Sequence, residues 1–162
     1  MNIEKLADTD LYIIKPKIFN DERGYFFESF KENTFKNQFP KIKFVQENES
    51  MSSFGTLRGL HFQNPPFAQT KLVRVIYGEI LDVVVDLRLS SPKYGKHQSV
   101  VLSYKNKYQL LVPKGYAHGF VVNSDFAIVN YKVDSNYSPN CESGLLWNDS
   151  SLMIDWKIDL NK

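Results

Sequence analysis

The feature that most constrains the fold of this sequence is a long series of short apolar and β-branched segments separated by turn residues. Examples are LYIIKPKIF (11–19), KLVRVIYGEILDVVVDLR (71–88) and GFVVNSDFAIVNYKV (119–133). Helical periodicity is nearly absent, and only TFKNQF (34–39) suggests a short helix. Many short strands at regular spacing are typical of antiparallel sandwiches and barrels. We therefore predict an all-β jelly roll, an antiparallel β-sandwich or barrel with a few short helices.

The turn residues between these segments predict how the strands are connected. Tyr77-Gly78-Glu79 divides the long apolar run into two strands. The segment SVVLSYKNKYQLLVP (99–113) is expected to form a hairpin with Lys105-Asn106-Lys107 at its tip. Residues 119–133 are expected to form a second hairpin, which turns at Asn123-Ser124-Asp125.

Length and composition narrow the class of protein. The chain has 162 residues and no repeat or low-complexity linker, so we treat residues 1–162 as a single domain. Its net charge of +2, with mixed signs, argues against nucleic acid or a membrane surface as a partner. Cys141 is the only cysteine, which excludes an intramolecular disulfide and favours the cytoplasm. No apolar stretch resembles a signal peptide or a membrane span.

The segment RGLHFQNPP (58–66) raises the main chemical question. Arg58 and His61 are three residues apart, Lys71 follows ten residues later, and residues 57–76 contain no carboxylate. Cations inside a barrel are costly to desolvate without an anionic partner. We expect that partner to be a ligand phosphate or an oxyanion, with His61 as a neutral general base beside it. The alternative is a core histidine that is satisfied by hydrogen bonds.

Three other residues are of types that could take part in chemistry. His97 lies in the loop SPKYGKHQ and is interpreted as a surface histidine. His118, in PKGYAHGF, matches the second half of a cupin metal motif, but the first half is missing around His61, so no metal site is expected. In AIVNYKV, alternation places Tyr131 on the apolar face, where it is a candidate acid opposite the base. A plain core tyrosine is the alternative.

Seven spaced motifs follow one another in order and cover nearly the whole chain, from Leu11 to Trp156. They are FNDERGYFFESF, FVQENES, LRGLHFQNPPFAQTKLVRVIYGEILDVVVDLR, SSPKYG, PKGYAHGFVV, VNYKVDSNYSP and GLLWND. Together they resemble the dTDP-4-dehydrorhamnose 3,5-epimerase family. The resemblance implies a cupin-like jelly roll, a homodimer, and a reaction that needs no metal or other cofactor. It also implies a dTDP-4-keto-6-deoxyhexose substrate on the route to dTDP-L-rhamnose or a related sugar.

The resemblance further implies a role for each residue at a matching position. His61 matches the base, Tyr131 the acid on the opposite face of the sugar, and Lys71 the cation near the ketone oxygen. Tyr137 matches the residue that stacks on the thymine ring. The remaining substrate-binding positions are Arg23, Glu28, Gln46, Asn48, Arg58, His118 and Glu142. The implied reaction is epimerisation of dTDP-4-dehydro-6-deoxy-D-glucose at C3 and C5 through an enolate.

The C-terminal segment departs from the family pattern. Family members continue past I-D-W-P into an L-S-x-K-D segment whose aspartate pairs with the catalytic histidine. This chain reads IDWKIDLNK up to Lys162, so that segment is expected to be missing. Either the natural chain is longer, or another acid orients His61. Asp82 and Asp86, at i and i+4 on the strand after Gly78, share a face and are the candidates.

Four alternative functions remain open on the sequence alone. A mono-epimerase acting at C3 or C5 only, or a ketoisomerase on a related nucleotide sugar, would use the same residues. A non-catalytic cupin that binds sugar nucleotides fits the missing tail aspartate. A metal-dependent cupin oxygenase would need further metal ligands.

Overall fold

The computed structural model describes residues 1–158, in which thirteen strands form two large antiparallel sheets and one ribbon. The strands are β1 (Asn2–Lys5), β2 (Tyr12–Lys15), β3 (Phe19–Asp21), β4 (Gly24–Phe26), β5 (Gln46–Ser53), β6 (Leu57–Gln63), β7 (Lys71–Tyr77), β8 (Glu79–Asp86), β9 (His97–Ser103), β10 (Gln109–Val112), β11 (Tyr116–Val122), β12 (Phe126–Val133) and β13 (Glu142–Gly144). One α-helix, α1 (Glu32–Gln38), lies between β4 and β5, and a 3-10 turn (Pro139–Cys141) precedes β13. The predicted all-β architecture and its short helix are confirmed.

The two large sheets have different strand orders. The first sheet runs β1-β2-β10-β7-β12-β5, the second runs β13-β6-β11-β8-β9, and β3 and β4 form the separate ribbon. None of the described helices is long and apolar enough to cross a membrane.

The two predicted hairpins are wrong, because their strands lie in different sheets. β9 pairs with β8 in the second sheet, whereas β10 pairs with β2 and β7 in the first. Likewise β11 pairs with β6 and β8, whereas β12 pairs with β5 and β7. Alternation shows which side chains face the core. It does not show whether a short turn connects two strands that pair in one sheet or two strands that lie in facing sheets. The expected division at Gly78 is confirmed, and there too the chain passes from the first sheet to the second.

Three apolar clusters hold the layers together. The largest lies between the two sheets and includes Val73, Val75, Ile80, Val84, Leu110, Phe120 and Val129. On the outer face of the second sheet, Leu60, Leu81, Val83 and Val85 are covered by Trp156 of the C-terminal segment. On the outer face of the first sheet, Ile14, Leu72 and Leu111 pack against Phe35 of α1. Both sheets therefore have two covered faces, which explains why β8 and β11 are almost entirely buried.

A charged cluster at one end of β8 joins the N-terminal strands to the second sheet. The Arg88 guanidinium forms two hydrogen bonds with Asp86, at 2.9 and 2.6 Å, and a third with the Tyr116 hydroxyl at 2.7 Å. It also forms an ion pair with Asp10, in the turn between β1 and β2. Burial alone raises the pKa of Asp86, but hydrogen bonds from Arg88 and Ser91 outweigh it and hold that pKa at about 2.

We predict that Arg88→Met lowers the free energy of unfolding by about 2–4 kcal/mol at pH 7, because it leaves the Asp86 carboxylate buried and unpaired. The folded pKa of Asp86 lies below its ordinary value of 3.8, so the wild-type pair stabilises the fold above that pH. This stabilisation is lost as the pH falls through about 2, so the difference between the proteins should shrink on acidification.

Urea unfolding between pH 2 and pH 7 measures this difference. Lys93→Met, at an exposed position in the same turn, serves as the control and should leave stability nearly unchanged. A difference for Arg88→Met that is equally large at every pH would contradict the proposed pairing with Asp86.

Candidate active site

Two adjoining cavities lie between the sheets, at the end that the apolar core does not fill. Their volumes are about 320 Å³ and 410 Å³, and both are lined by His61, Lys71 and Tyr131. The first is also lined by Gln46, Asn48, Tyr137 and Glu142, and the second by Arg58 and His118. The structure thus brings together nine of the eleven residues that the sequence predicts for the site.

Arg23 and Glu28 are the two predicted residues that line neither cavity. Arg23 follows β3 on the exposed ribbon and pairs with Asp21, with 2.6 Å between Nη2 and Oδ2. Glu28 pairs with Lys31 at 3.3 Å, and both side chains are more than half exposed. Their own subunit therefore does not bring them to the site.

A β-bulge in β6 explains how Arg58 and His61 reach the same cavity. His61 lies opposite His118 of β11, and Arg58 lies opposite Phe120, so Gly59 and Leu60 together face the single residue Gly119. Regular alternation would send residues three apart to opposite faces, and the extra residue restores a common face. Leu60 instead packs into the outer cluster beneath Trp156.

Close backbone contact at this bulge requires two glycines. Gly59 has a φ of +132°, and a Cβ there would lie 2.5 Å from the Cα of Gly119. A Cβ on Gly119 would lie 2.7 Å from the carbonyl oxygen of Arg58. Gly59 and Gly119, which follow Arg58 and His118, are therefore the sequence signal of the bulge. This signal can be recognised only once β6 is known to pair with β11.

Lys71 and Tyr131 enter the cavities from the first sheet, opposite the histidines. On β12, Tyr131 follows the buried residues Ala127 and Val129 on the inward face, as the alternation predicted. Burial lowers the pKa of Lys71 to about 8, against the opposing effects of Asp82 and Glu142. Burial also raises the pKa of Tyr131, with Asn48 and Arg58 opposing it. At neutral pH the site thus presents an ammonium group and a protonated phenol.

The two aspartates that are candidates to orient His61 both have other partners. Asp82 accepts a hydrogen bond from His118, with 2.9 Å between Oδ2 and Nε2, and Asp86 belongs to the Arg88 cluster. The prediction that one of these aspartates orients His61 is therefore not supported by their contacts. The expected departure at the C-terminus, near Lys162, lies outside the described residues.

Hydrogen bonds hold Tyr137 at the mouth of the first cavity. Its hydroxyl donates to Glu142 Oε2 at 2.7 Å, and its backbone N–H donates to Gln46 Oε1 at 3.0 Å. The amide of Gln46 in turn donates to Asn48 Oδ1 at 2.8 Å. About half of the Tyr137 side chain is exposed, so its ring is free to stack on a flat ligand.

Gln63 and Ser52 contribute to the site but were missed in the sequence. The buried Gln63 amide donates to the carbonyl oxygens of Phe67 and Asn136 and accepts from the backbone N–H of Ser138, which fixes both loops beside Tyr137. Ser52 Oγ accepts a hydrogen bond from Arg58 Nε at 2.8 Å. The role of Gln63 depends on loops distant in sequence, whereas Ser52 continues the alternation of Gln46, Asn48 and Ser50 along β5, which was its one local signal.

The arrangement places an imidazole and a phenol on opposite sides of one space. His61 belongs to the second sheet and Tyr131 to the first, and Lys71 lines both cavities with them. Within residues 1–158, no group of three or more His, Cys, Asp or Glu side chains is placed to hold a metal ion. The geometry suits proton removal from one face of a ligand and proton return to the other.

Comparisons with known proteins agree on one family. Residues 5–162 match the family model described as dTDP-4-dehydrorhamnose 3,5-epimerase. The Shigella flexneri enzyme of that name is 50% identical over 159 residues, which are 98% of this chain and 88% of that protein. The dTDP-6-deoxy-D-glucose-3,5-epimerase of Legionella pneumophila, solved with dTDP-4-keto-L-rhamnose, is 45% identical with a TM-score of 0.92 and covers 97% of this chain and 84% of that one.

A 3'-monoepimerase from Streptomyces bikiniensis, solved with dTDP-quinovose, is also similar in structure. It is 30% identical with a TM-score of 0.89, and the match covers 96% of this chain and 79% of that one. The same fold therefore occurs in an epimerase described as acting at one centre.

We predict that Lys71→Met stabilises the protein at pH 7 by on the order of 3 kcal/mol, because the fold holds this ammonium at a pKa of about 8 instead of 10.5. Because the pKa of Lys71 is lower in the folded state, its charge lowers the free energy of unfolding by the full amount below about pH 8. This destabilisation disappears as the pH rises towards 10.5. The advantage of the variant should therefore decrease between pH 8 and pH 10.

Urea unfolding at pH 7 and pH 9.5 measures this effect. Lys41→Met, at an exposed position, is the control and should change stability little at either pH. A less stable Lys71→Met at pH 7 would show that the ammonium stabilises the fold, contrary to this prediction.

Proposed function

The chain belongs to the dTDP-4-dehydrorhamnose 3,5-epimerase family, and on that premise we propose that it inverts C3 and C5 of dTDP-4-dehydro-6-deoxy-D-glucose. The product is dTDP-4-dehydro-L-rhamnose, so the enzyme is an isomerase of nucleotide-sugar biosynthesis. The observation that carries this proposal is the placement of His61 and Tyr131 on facing sheets around one cavity that Lys71 also lines.

The proposed mechanism proceeds through an enolate. The protons at C3 and C5 are acidic because both carbons adjoin the C4 ketone. His61 removes one of them, and the negative charge moves to O4, where the Lys71 ammonium stabilises it in a partly dehydrated site. Tyr131 then returns a proton from the opposite face and inverts the centre. The raised pKa of Tyr131 supports this role, because the phenol keeps its proton until the enolate needs it.

The nucleotide is proposed to bind along the first cavity. Tyr137 is held by Gln46 and Glu142, so little rotational freedom is lost when thymine stacks on its ring. Stacking of a base on an aromatic side chain contributes about 1–3 kcal/mol. Gln46, Asn48 and Glu142 complete this part of the site, while Arg58 and His118 bind the substrate in the second cavity.

A mono-epimerase is the second candidate, because the Streptomyces bikiniensis relative is described as one. It would use the same base, acid and cation, and it would differ only in which proton the pocket brings to His61. Proton exchange at each carbon separates the two candidates directly.

We predict that His61→Ala and Tyr131→Phe fail in different ways. With dTDP-4-dehydro-6-deoxy-D-glucose in deuterated water, the wild-type protein should introduce deuterium at C3 and C5. His61→Ala should stop both exchange and inversion, because no enolate forms without the base. Tyr131→Phe should still exchange, but with retained configuration, because protons then return from the His61 side. Proton NMR measures both quantities.

His97→Ala and Tyr108→Phe are matched controls, because these residues line neither cavity and should leave both rates nearly unchanged. Exchange at one carbon only in the wild-type protein would favour the mono-epimerase, and no exchange at all would favour a binding protein. An unaltered inversion rate in His61→Ala would overturn the mechanism.

We further propose that the protein is a homodimer in which each ribbon completes the site of the other copy. Arg23 and Glu28 match substrate-binding positions but lie away from the cavities of their own chain. The ribbon carries three aromatic side chains, Phe19, Tyr25 and Phe26, each more than half exposed. An interface between copies would cover these rings and bring Arg23 to a second cavity.

A complementation experiment tests this arrangement. Co-expression of Arg23→Ala with His61→Ala should restore about a quarter of the wild-type rate, because random pairing gives one intact site in each mixed dimer. Co-expression of Arg58→Ala with His61→Ala should restore nothing, since both residues lie on β6 of the same site. If neither pair restores activity while mixed dimers form, Arg23 does not act in the partner copy.

The proposed location is the cytoplasm. Cys141 is the only cysteine of the chain and is present as a free thiol. Free thiols are typical of proteins that work in reducing compartments.

A further inference from the structure

Asp82 is a fully buried carboxylate that the mechanism above does not use. It lies on β8 with 0% exposure, and its Oδ2 accepts the hydrogen bond from His118 Nε2 at 2.9 Å. Its Oδ1 is the one buried side-chain oxygen or nitrogen in residues 1–158 without a hydrogen-bond partner. A buried carboxylate that is only half satisfied destabilises a fold unless nearby positive charge compensates it.

Two groups that can compensate this charge line the second cavity. His118 contacts Asp82 directly, and Lys71 lines the same cavity from the opposite sheet. Asp82 itself lines neither cavity. It therefore lies behind the groups that meet the substrate, and its influence acts through them.

The hydrogen bond to Asp82 determines how His118 faces the cavity. An ionised carboxylate only accepts hydrogen bonds, so the proton in this contact belongs to His118 Nε2. Nδ1 forms no hydrogen bond within the described residues and is not among their buried unpaired atoms. Nδ1 is thus the ring nitrogen available to a ligand, and its orientation depends on the bond at Nε2.

We propose that Asp82 is a positioning residue of the epimerase site: it fixes the ring of His118 through Nε2 and supplies the buried negative charge that complements the Lys71 ammonium. The inference rests on the proposed function, because it assigns both groups to the substrate's sugar. Pairs of buried charges are strongest where water is excluded, and Asp82 is the most buried charge beside this cavity.

Lys71 is surrounded by titratable and charged groups from several strands. They are Tyr131 of β12, Arg58 and His61 of β6, His118 of β11, Asp82 of β8 and Glu142 of β13. Burial lowers the pKa of Lys71 to about 8, and Asp82 is the first of the two carboxylates that oppose this effect, ahead of Glu142. Glu142 is exposed to solvent, so the charge of Asp82 is the less screened of the two.

Asp82→Asn tests the proposal, because asparagine keeps the size of the side chain and removes its charge. We expect kcat to fall about 10-fold or more, with the affinity for dTDP little changed, since Asp82 lines neither cavity and the nucleotide is assigned to the first. We also expect the alkaline limb of the kcat–pH profile to move to lower pH, because Lys71 loses its proton more easily without the nearby carboxylate.

Asp86→Asn is the matched control, since it removes a buried carboxylate four residues away on the same strand, in the Arg88 cluster. It should lower stability and leave the pH profile in place. If Asp82→Asn lowers stability but keeps the wild-type kcat and the wild-type alkaline limb of the kcat–pH profile, Asp82 has a structural role only. That result would overturn the proposal.

NMR of the ¹⁵N-labelled wild-type protein tests the same contact without turnover. A His118 ring protonated at Nε2, and a Lys71 ammonium that titrates at lower pH in Asp82→Asn, would support the proposal. An unprotonated Nε2 would overturn it, even if Asp82→Asn does not fold. Failure of the proposed function would be a different result: the wild-type protein would exchange no proton at C3 or C5 of the substrate. The NMR signals of His118 and Lys71 could still be measured in that case.

Discussion

Alternation along the strands sends every second side chain of both large sheets into one shared space, and the architecture depends on how that space is filled. Over most of its length the inward residues are valine, leucine and isoleucine, which exclude water and hold the sheets together. At one end the inward residues of β5, β6, β7 and β12 are polar or charged, so the sheets enclose cavities there. The site is thus the part of the core that apolar packing does not close.

Placing charge at this end of the core costs stability. Burial lowers the pKa of Lys71, so the fold would be more stable with a neutral side chain at that position. The same dehydration makes the ammonium a stronger partner for charge that develops on an enolate oxygen. The property that weakens the fold is therefore the one that the proposed reaction would use.

Asp82 and Asp86 show how position on one strand separates structure from chemistry. Both are buried, and both point to the same side of β8. Asp86 is saturated by Arg88 and Ser91, and Arg88 in turn ties the N-terminal strands to the sheet through Asp10. Asp82 forms its side-chain hydrogen bond with His118, and its other oxygen has no hydrogen-bond partner within residues 1–158. A saturated carboxylate stabilises the fold, and an unsaturated one beside a cavity affects the groups around it.

The sequence was sufficient to predict the all-β class, the short helix and the inward position of Tyr131, and its motifs carried the resemblance that named nine residues of the cavities. These inferences rest on local alternation and on spaced motifs, which are readable without knowing which strands pair. Three features became visible with the folded chain: the two expected hairpins cross between sheets, a bulge at Gly59 turns Arg58 and His61 to one face, and Asp82 holds His118 and not His61. Each of these depends on partners distant along the chain, because local alternation shows which side chains share a face of a strand and not which strands pair.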